Sequence, residues 1–213
     1  DLSVGAVMAL AGTIGAGMMV KVGLPGAAGL AVGLLIGVGI GLFNGFLVAW
    51  GRMPAIIVTL ATMGMARGLG LIYSGGYPIS GLPGWIAWFG VGRIGTVPVP
   101  VIFMIVIYAV AWVLLQRTPF GRHVYALGGN ELAARLSGVR TRRVKLAVYA
   151  ISGLTSALAA VVLTGRLMSG QPNAGVGFEL DAIAAVVLGG TAIAGGRGLI
   201  LGTLIGAVLL GIL

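Results

Sequence analysis

The sequence contains no cysteine, only four acidic residues and a single histidine among its 213 residues. The absence of cysteine excludes disulfide bonds and thiolate metal sites. So few acids and histidines leave little material for a metal site or an acid–base centre, and we predict no metal, no cofactor and no catalytic residue. The chain also lacks the GxxxxGK[ST] pattern of a phosphate-binding loop, so we expect any ATP to be hydrolysed by another protein.

Apolar residues, in contrast, make up 59% of the chain, with only 8% charged residues and a mean hydropathy of +1.13. A soluble domain has about 25% charged residues, so this composition indicates an integral membrane protein surrounded by lipid. The net charge of +9 would suggest a nucleic-acid partner in a soluble protein. Here the basic residues flank apolar segments, and basic residues in such places determine the orientation of a protein in the membrane. We therefore predict no nucleic-acid partner.

Seven apolar segments approach the length of about 20 residues that a membrane-spanning helix needs. They are 3–20, 27–50, 54–72, 98–116, 144–164, 180–195 and 198–213. The first, sixth and last are short and could be partly re-entrant. We therefore predict an all-α fold, a polytopic transmembrane helical bundle. The chain begins with Asp1 and ends inside an apolar segment, so we expect 1–213 to be a single transmembrane domain truncated at both ends.

The basic loop 117–145 fixes the orientation if all seven segments cross, because Lys and Arg near spans are retained in the cytoplasm. Nine basic residues then lie inside, seven in this loop together with Arg52 and Arg197, and three lie outside. On this count the loops 74–97 and 165–179 are external.

The two ends of the chain resemble each other, which predicts repeat copies near 1–50 and 179–213. Seven residues are identical between 1–17 and 179–195, and after a shift of nine residues the glycines at every fourth position of 29–37 are matched as well. The copies begin on opposite faces of the membrane on the span count above, so we predict an inverted repeat, the build of many transporters. Chance similarity within a Gly/Ala-rich sequence is the alternative.

A short helix with its own start and stop signals lies inside the basic loop. Asn130 is a good N-cap, and Glu131 follows where the helix dipole favours an acid. Gly138 is a typical residue just after a helix C-terminus. The spacing of Glu131 and Arg135 predicts an ion pair one turn apart.

The same helix carries a narrow apolar stripe formed by Leu132 and Leu136. Two small residues, Ala133 and Ala134, allow it to lie close to another surface. A helix of about two turns is marginal in water by itself. We therefore expect either a cytoplasmic partner protein or the lipid headgroup layer to hold it.

Four stretches together resemble a known family. They are DLSVGAVMALAGT at 1–13, GLFNGFLVAWGRMPAIIVTLATM at 41–63, FGRHVYALGGNELAARLSGV at 120–139 and SGQPNAGVGFELDAIAAVVLGGTAIAGGRG at 169–198. The chain resembles the membrane-spanning permease subunit of bacterial ABC importers for monosaccharides, of the ribose, xylose and galactose type. The stretches cover most of the chain in the order of that family, and the third and fourth are the most specific.

The resemblance implies a permease that moves a pentose or a hexose across the inner membrane and is not itself an enzyme. It implies cytoplasmic ATP-binding subunits, a periplasmic sugar-binding protein and a second permease copy, identical or closely related. It also implies that the short helix, after a Gly128–Gly129 hinge, sits in a groove of the ATPase and couples its motion to transport. The implied coupling residues are Gly128, Gly129, Asn130, Glu131, Leu132, Ala133, Ala134, Arg135, Leu136 and Gly138. The extra Leu132 between the acid and the alanines departs from the usual pattern of such coupling loops.

Two sets of polar residues are candidates for the translocation path. Tyr149, Ser152 and Ser156 form one polar stripe on an apolar helix, which either lines a path for sugar hydroxyls or makes interhelical hydrogen bonds. Asn44 has the same two alternatives, at the inner mouth of the path or bonded to a neighbouring helix.

The remaining candidates lie toward the predicted external side. Arg67 either extends its side chain outward to the interface or takes part in an external vestibule. Gln171, Asn173, Glu179 and Asp181 are candidates for contact with the substrate or the binding protein. The alternative for the two acids is a solvated first turn that complements the helix dipole.

Two other functions remain open from the sequence. A branched-chain amino-acid ABC permease would have a similar organisation. An ion-coupled secondary transporter would need acids or histidine inside its spans, and the predicted spans contain almost none.

Overall fold

The computed structural model describes residues 1–212, which form helices connected by loops and two short β-ladders. The α-helices are α1 (Val4–Val20), α2 (Gly26–Ala49), α3 (Ala55–Ser74), α4 (Ala87–Val91), α5 (Val99–Arg117), α6 (Pro119–Gly129), α7 (Glu131–Leu136), α8 (Thr141–Leu167), α9 (Phe178–Leu188) and α10 (Ile200–Ile212), with a 3₁₀ turn at Gly84–Ile86. The strands are β1 (Ile79–Ser80), β2 (Arg93–Ile94), β3 (Val97–Pro98) and β4 (Ser169–Gly170). The predicted all-α membrane bundle is confirmed.

Four of these helices, α2, α3, α5 and α8, are long and apolar enough to cross a membrane. Helix α9 differs from the expected segment 180–195 because it ends at Leu188 after 11 residues. At 1.5 Å per residue it is about 16 Å long, well short of the roughly 30 Å of a hydrocarbon core. The chain turns at Gly190, whose φ of 83° is left-handed and suits glycine, so this segment is not a complete helical span.

The described chain divides into two compact units. The first contains Asp1–Ile102 and Leu146–Glu179, and the second contains Phe103–Lys145 and the chain from Leu180 onward. In the first unit α1 is central, since 12 of its 17 residues are buried. A helix that is apolar all round is expected to be enclosed by other elements in this way.

The glycines at every fourth position of α2 make close contact with two helices of the first unit. A Cβ at Gly33 would meet the carbonyl oxygen of Ala11 in α1, whereas Cβ atoms at Gly37 and Gly41 would meet the carbonyl oxygens of Gly153 and Tyr149 in α8. These glycines therefore let α2 pack closely against α1 in its first half and against α8 in its second half.

The second unit contains a helix pair with a matching contact. A Cβ at Gly202 of α10 would meet the carbonyl oxygen of Gly189, just after α9. In the alignment of the two chain ends, Gly202 corresponds to Gly33 and Gly189 corresponds to Ala11. The same two positions thus touch in each proposed copy, and both the repeat and its inversion stay predictions.

Residues 168–177, within the loop 165–179 that is predicted to be external, fold back along α1, and we call them the re-entrant segment. The segment begins at β4, which pairs antiparallel with β1. It then runs along α1, because a Cβ at Gly170 would meet Ala16 and a Cβ at Gly5 would meet the carbonyl oxygen of Gly175. Between Ala16 and Gly5 lie 11 residues of helix, or about 16 Å. Such irregular backbone is tolerated inside a membrane bundle only where protein covers it.

Candidate functional site

The predicted cytoplasmic loop begins with a tight turn from α5 into α6. Thr118 donates its hydroxyl to the carbonyl of Leu114 at 2.6 Å and accepts from the backbone N–H of Gly121 at 3.4 Å. Pro119 occupies the first helical position, where a missing N–H costs nothing. Gly121 is buried against the carbonyl of Leu115, a contact that leaves no room for a side chain.

Helix α6 itself was not predicted from the sequence. Its Tyr125 hydroxyl donates to the carbonyl of Gly198 at 3.0 Å. Gly128 lies against the backbone of Gly195 and Gly196, closer than any residue with a Cβ could lie. The expected hinge residues Gly128 and Gly129 both lie in the last turn of α6, and Gly128 is a packing position, so the hinge stays a prediction.

The break between α6 and α7 falls at Asn130, whose backbone is extended with φ −158° and ψ 105°. Its N–H donates to the carbonyl of Ala126 at 3.1 Å, which completes α6. Its side-chain oxygen accepts from the N–H of Ala133 at 3.0 Å, which caps α7. The predicted N-cap is confirmed, and the same residue also ends the preceding helix.

Helix α7 ends in a Schellman motif, as the glycine at 138 predicts. Gly138 has a left-handed φ of 85°. Its N–H donates to the carbonyl of Arg135 at 3.1 Å, and the N–H of Val139 donates to the carbonyl of Ala134 at 3.0 Å. Both bonds satisfy carbonyls that the short helix would otherwise leave free.

The ion pair predicted between Glu131 and Arg135 is wrong. Glu131 instead pairs with Lys145 near the start of α8, at 2.7 Å. The Glu131 side chain is 53% exposed and that of Lys145 is 25% exposed. A pair this exposed contributes at most about 1 kcal/mol, so its main effect is to orient α7 relative to the first turns of α8.

The faces of α7 differ strongly in exposure. Ala134 is buried, with 6% of its surface exposed, whereas Leu132 is 66% and Leu136 is 81% exposed. Helix α7 thus presents its apolar stripe outward. The exposed basic residues of the loop 117–145 are Arg117, Arg122, Arg135, Arg140, Arg142 and Arg143.

Asn44 lies fully buried between three elements of the first unit. Its amide nitrogen donates to the hydroxyl of Ser3 at 3.1 Å, and its amide oxygen accepts from the hydroxyl of Thr62 at 2.6 Å. With no exposed surface, Asn44 has the geometry of an interhelical hydrogen-bonding residue, the second of its two predicted alternatives.

The polar stripe of α8 is also largely bonded within the protein. Ser152 donates to the Asp1 carboxylate at 2.9 Å, and Ser156, which is buried, donates to the backbone carbonyl of Ser152 at 2.8 Å. Tyr149 is half-buried, with its backbone against Gly41 of α2. Ser152 thus bonds to the first residue of the chain and Ser156 bonds within α8, and neither bond selects between the two predicted roles.

Arg67 is hydrogen-bonded within the first unit. Its guanidinium donates to the carbonyls of Pro172 at 3.2 Å and Ala174 at 2.6 Å, both in the re-entrant segment. In the same segment the Gln171 amide donates to the Ser169 hydroxyl at 2.9 Å. The bonds of Arg67 join residues more than 100 positions apart in sequence.

The other candidates on this side differ in exposure. Asn173 and Asp181 are exposed, whereas Glu179 is half-buried. The Glu179 Oε2 atom is buried beside Gly5 and makes no hydrogen bond with the residues at 1–212. Within the same described range, no three His, Cys, Asp or Glu side chains come together as a metal site would require.

The whole chain, residues 1–213, matches the family described as branched-chain amino acid transport system, permease component. The chain belongs to this family. It is therefore a transport-system permease, and with its four long apolar helices it is a multi-pass protein of the bacterial inner membrane.

Curated relatives of this permease cover its full length. It is 49% identical over 217 residues to the ribose import permease of Haemophilus influenzae and 51% identical over 215 residues to that of Bacillus subtilis. It is also 40% identical over 212 residues to the D-allose transport permease of Escherichia coli. These alignments cover 100%, 100% and 99% of the chain but 67%, 66% and 65% of the relatives. No solved structure matches the chain.

Proposed function

We propose that this chain is the membrane-spanning subunit of a binding-protein-dependent ABC importer that moves a monosaccharide, a pentose or a hexose, across the inner membrane. The observation that carries the proposal is α7, a six-residue helix capped at both ends with Leu132 and Leu136 exposed. So short a helix is not stable alone, and exposed leucines are costly in water. A cytoplasmic ATP-binding subunit would cover them.

The ion pair between Glu131 and Lys145 supports a coupling role for α7. Lys145 belongs to α8, a continuous helix of 27 residues. A displacement of α7 by the ATP-binding subunits would therefore move a transmembrane helix directly. Nucleotide drives such a change only if it binds the two conformations of the complex with different affinity.

The relatives favour a sugar over a branched-chain amino acid as the solute. The family description names branched-chain amino acids, yet the full-length curated relatives at 40–51% identity are permeases for ribose, D-allose and autoinducer 2. Because few polar side chains converge in the described chain, we propose that the permease binds its solute weakly. Selectivity would then reside mainly in the periplasmic sugar-binding protein.

The complete importer would contain two cytoplasmic ATP-binding subunits, one periplasmic sugar-binding protein and a second copy of this permease. Lipid would cover much of the remaining apolar surface, for example that of α5, in which Val99 alone is buried among its described residues. In this arrangement the chain transports solute and hydrolyses no ATP. The two serines of α8 and the exposed Asn173 remain proposed contacts of the path and its outer opening.

An ion-coupled secondary transporter is a weaker proposal. The four long helices α2, α3, α5 and α8 contain no Asp, Glu or His. Proton and cation relays use such side chains at membrane depth. These helices offer none, so the energy for transport must come from a partner.

Uptake of labelled solutes tests the function. Cells with the full-length permease and its ATP-binding and sugar-binding partners should accumulate ribose or another monosaccharide in an ATP-dependent manner. Cells in which the ATP-binding subunit is inactivated should not. Accumulation of leucine but of no sugar would replace the monosaccharide by a branched-chain amino acid, and sugar uptake that persists without ATP would contradict an ABC importer.

A further inference from the structure

The re-entrant segment brings irregular backbone into the helix bundle of the first unit. Carbonyls that leave a helix or strand inside a membrane protein must find donors, since no water is available in lipid to bond to them. Beyond the two residues of β4, the carbonyls of Pro172 and Ala174 accept from the guanidinium of Arg67. Arg67 thus supplies the N–H donors that backbone N–H groups supply to carbonyls in regular helices and strands.

An arginine inside a membrane helix is itself costly and is expected to have a specific partner. Arg67 lies seven residues before the end of α3 at Ser74, about 10 Å along the helix axis. The planar guanidinium presents several donors in a fixed fork, which suits two carbonyls in one segment better than a lysine ammonium does.

Two further observations distinguish the segment from a packed core element. Glu179, just after the segment, is close enough to Arg67 to attract it electrostatically, and its buried Oε2 has no hydrogen-bond partner among residues 1–212. A cavity of about 10 Å³, with room for one water molecule, lies between the segment and helices α1 and α8, and its polar lining consists of Thr164, Ser169 and Gln171. One side of the segment therefore faces a small cavity that has polar side chains in its wall.

We propose that Arg67 is a positioning residue, which holds the re-entrant segment beside α1 so that Gln171 and Asn173 line the outer part of the translocation path. The guanidinium acts through the carbonyls of Pro172 and Ala174 and does not itself contact the solute. The role in transport depends on the proposed import function, whereas the position of the segment does not.

The absence of cysteine from the chain allows a direct test of the position of the segment. In a full-length permease from which any cysteine outside these 213 residues has been removed, Ala174→Cys places a thiol at a half-buried site and Asn173→Cys places one at an exposed site. With Arg67 present, a membrane-impermeant maleimide should label Cys at 174 slowly and Cys at 173 quickly. Replacement by Arg67→Met should accelerate labelling at 174 about tenfold, the change expected from a shift of about 1.4 kcal/mol toward a released segment.

Two further variants separate this effect from loss of charge or of folding. Arg67→Lys keeps the charge without the fork and should give an intermediate rate. Arg93→Met removes an exposed positive charge elsewhere on the first unit and should leave the labelling rate unchanged. An unchanged rate at 174 in both Arg67 variants, or an equal acceleration in Arg93→Met, would overturn the positioning role.

Sugar uptake by the same cells tests the second half of the proposal. Arg67→Met should reduce uptake in parallel with the rise in labelling, and Arg93→Met should not. Faster labelling with full uptake would overturn the role of the segment in the path. Faster labelling in a protein that takes up no sugar even with Arg67 intact would instead reject the import function and leave the positioning role supported.

Discussion

The Glu131 carboxylate and the Lys145 ammonium meet at 2.7 Å and join α7 to the beginning of α8. The two residues are 14 positions apart, and the Schellman turn at Gly138 lies between them. The chain changes direction at this turn, so the beginning of α8 comes back toward the first residue of α7. This pair connects the first residue of α7, the helix with the two exposed leucines, to α8.

Reversal of the charges in this pair tests its role. Glu131→Lys alone puts two ammonium groups together and should lower the uptake rate about two- to fivefold, which corresponds to a loss of up to about 1 kcal/mol. Lys145→Glu alone should have a similar effect. The double variant Glu131→Lys/Lys145→Glu restores opposite charges and should recover most of the uptake. No recovery in the double variant would show that the pair does not orient α7.

The exposed leucines should matter for assembly and not for folding. Leu136→Asp removes apolar surface that is already 81% exposed in the chain alone, so its thermal unfolding in detergent should change little. Copurification of the ATP-binding subunit should fall at least tenfold, because a buried leucine contact is worth about 1.5–3 kcal/mol. Val22→Asp, at an exposed residue in the linker after α1, is the matched control and should copurify normally.

The buried bonds of Asn44 should contribute to stability. Asn44→Leu keeps the volume of the side chain but leaves the hydroxyls of Ser3 and Thr62 without this partner, and we expect a loss of about 1–2 kcal/mol in the free energy of unfolding. Thr155→Val is the control, because that exposed hydroxyl bonds only to carbonyls of its own helix. A fully stable Asn44→Leu protein with impaired uptake would instead favour Asn44 as part of the path.

The matched glycine contacts of the two repeat copies should respond alike to substitution. Gly33→Val would force α2 away from Ala11, and Gly202→Val would force α10 away from Gly189. Each should destabilise the protein by about 1–3 kcal/mol, as overpacking generally does, measured as thermal unfolding in detergent. Gly39→Val is the control, because nothing lies within 4 Å of a Cβ at that position. A stable Gly202→Val protein would argue against equivalent contacts in the two copies.

Local signals made α7 predictable from the sequence. Asn130 and Gly138 each determine a cap through bonds to residues three to five positions away, and both caps occur where expected. The ion-pair partner of Glu131 was not predictable, because Lys145 approaches only after the chain reverses. Helix α6 was missed since its terminal glycines, among them Gly128, are poor helix formers and are used for contact with another backbone.

The re-entrant segment was missed for a related reason. A run rich in glycine, with Pro172 and Asn173, is typical of an exposed loop when only neighbouring residues are considered. What holds it beside α1 is Arg67, 105 residues before Pro172 in the sequence. The charge of Arg67 inside an apolar helix was the available signal, because such a residue needs a partner within the protein.

A cysteine crosslink tests the coupling account most directly. Leu136→Cys places a thiol on the exposed face of α7 in a full-length permease from which any cysteine outside these 213 residues has been removed; the 213 residues themselves contain none. The account predicts that a short bifunctional reagent joins this thiol to the ATP-binding subunit in intact membranes, at a rate that changes when ATP is bound. No crosslink to that subunit, or labelling of the thiol from outside the cell, would contradict it.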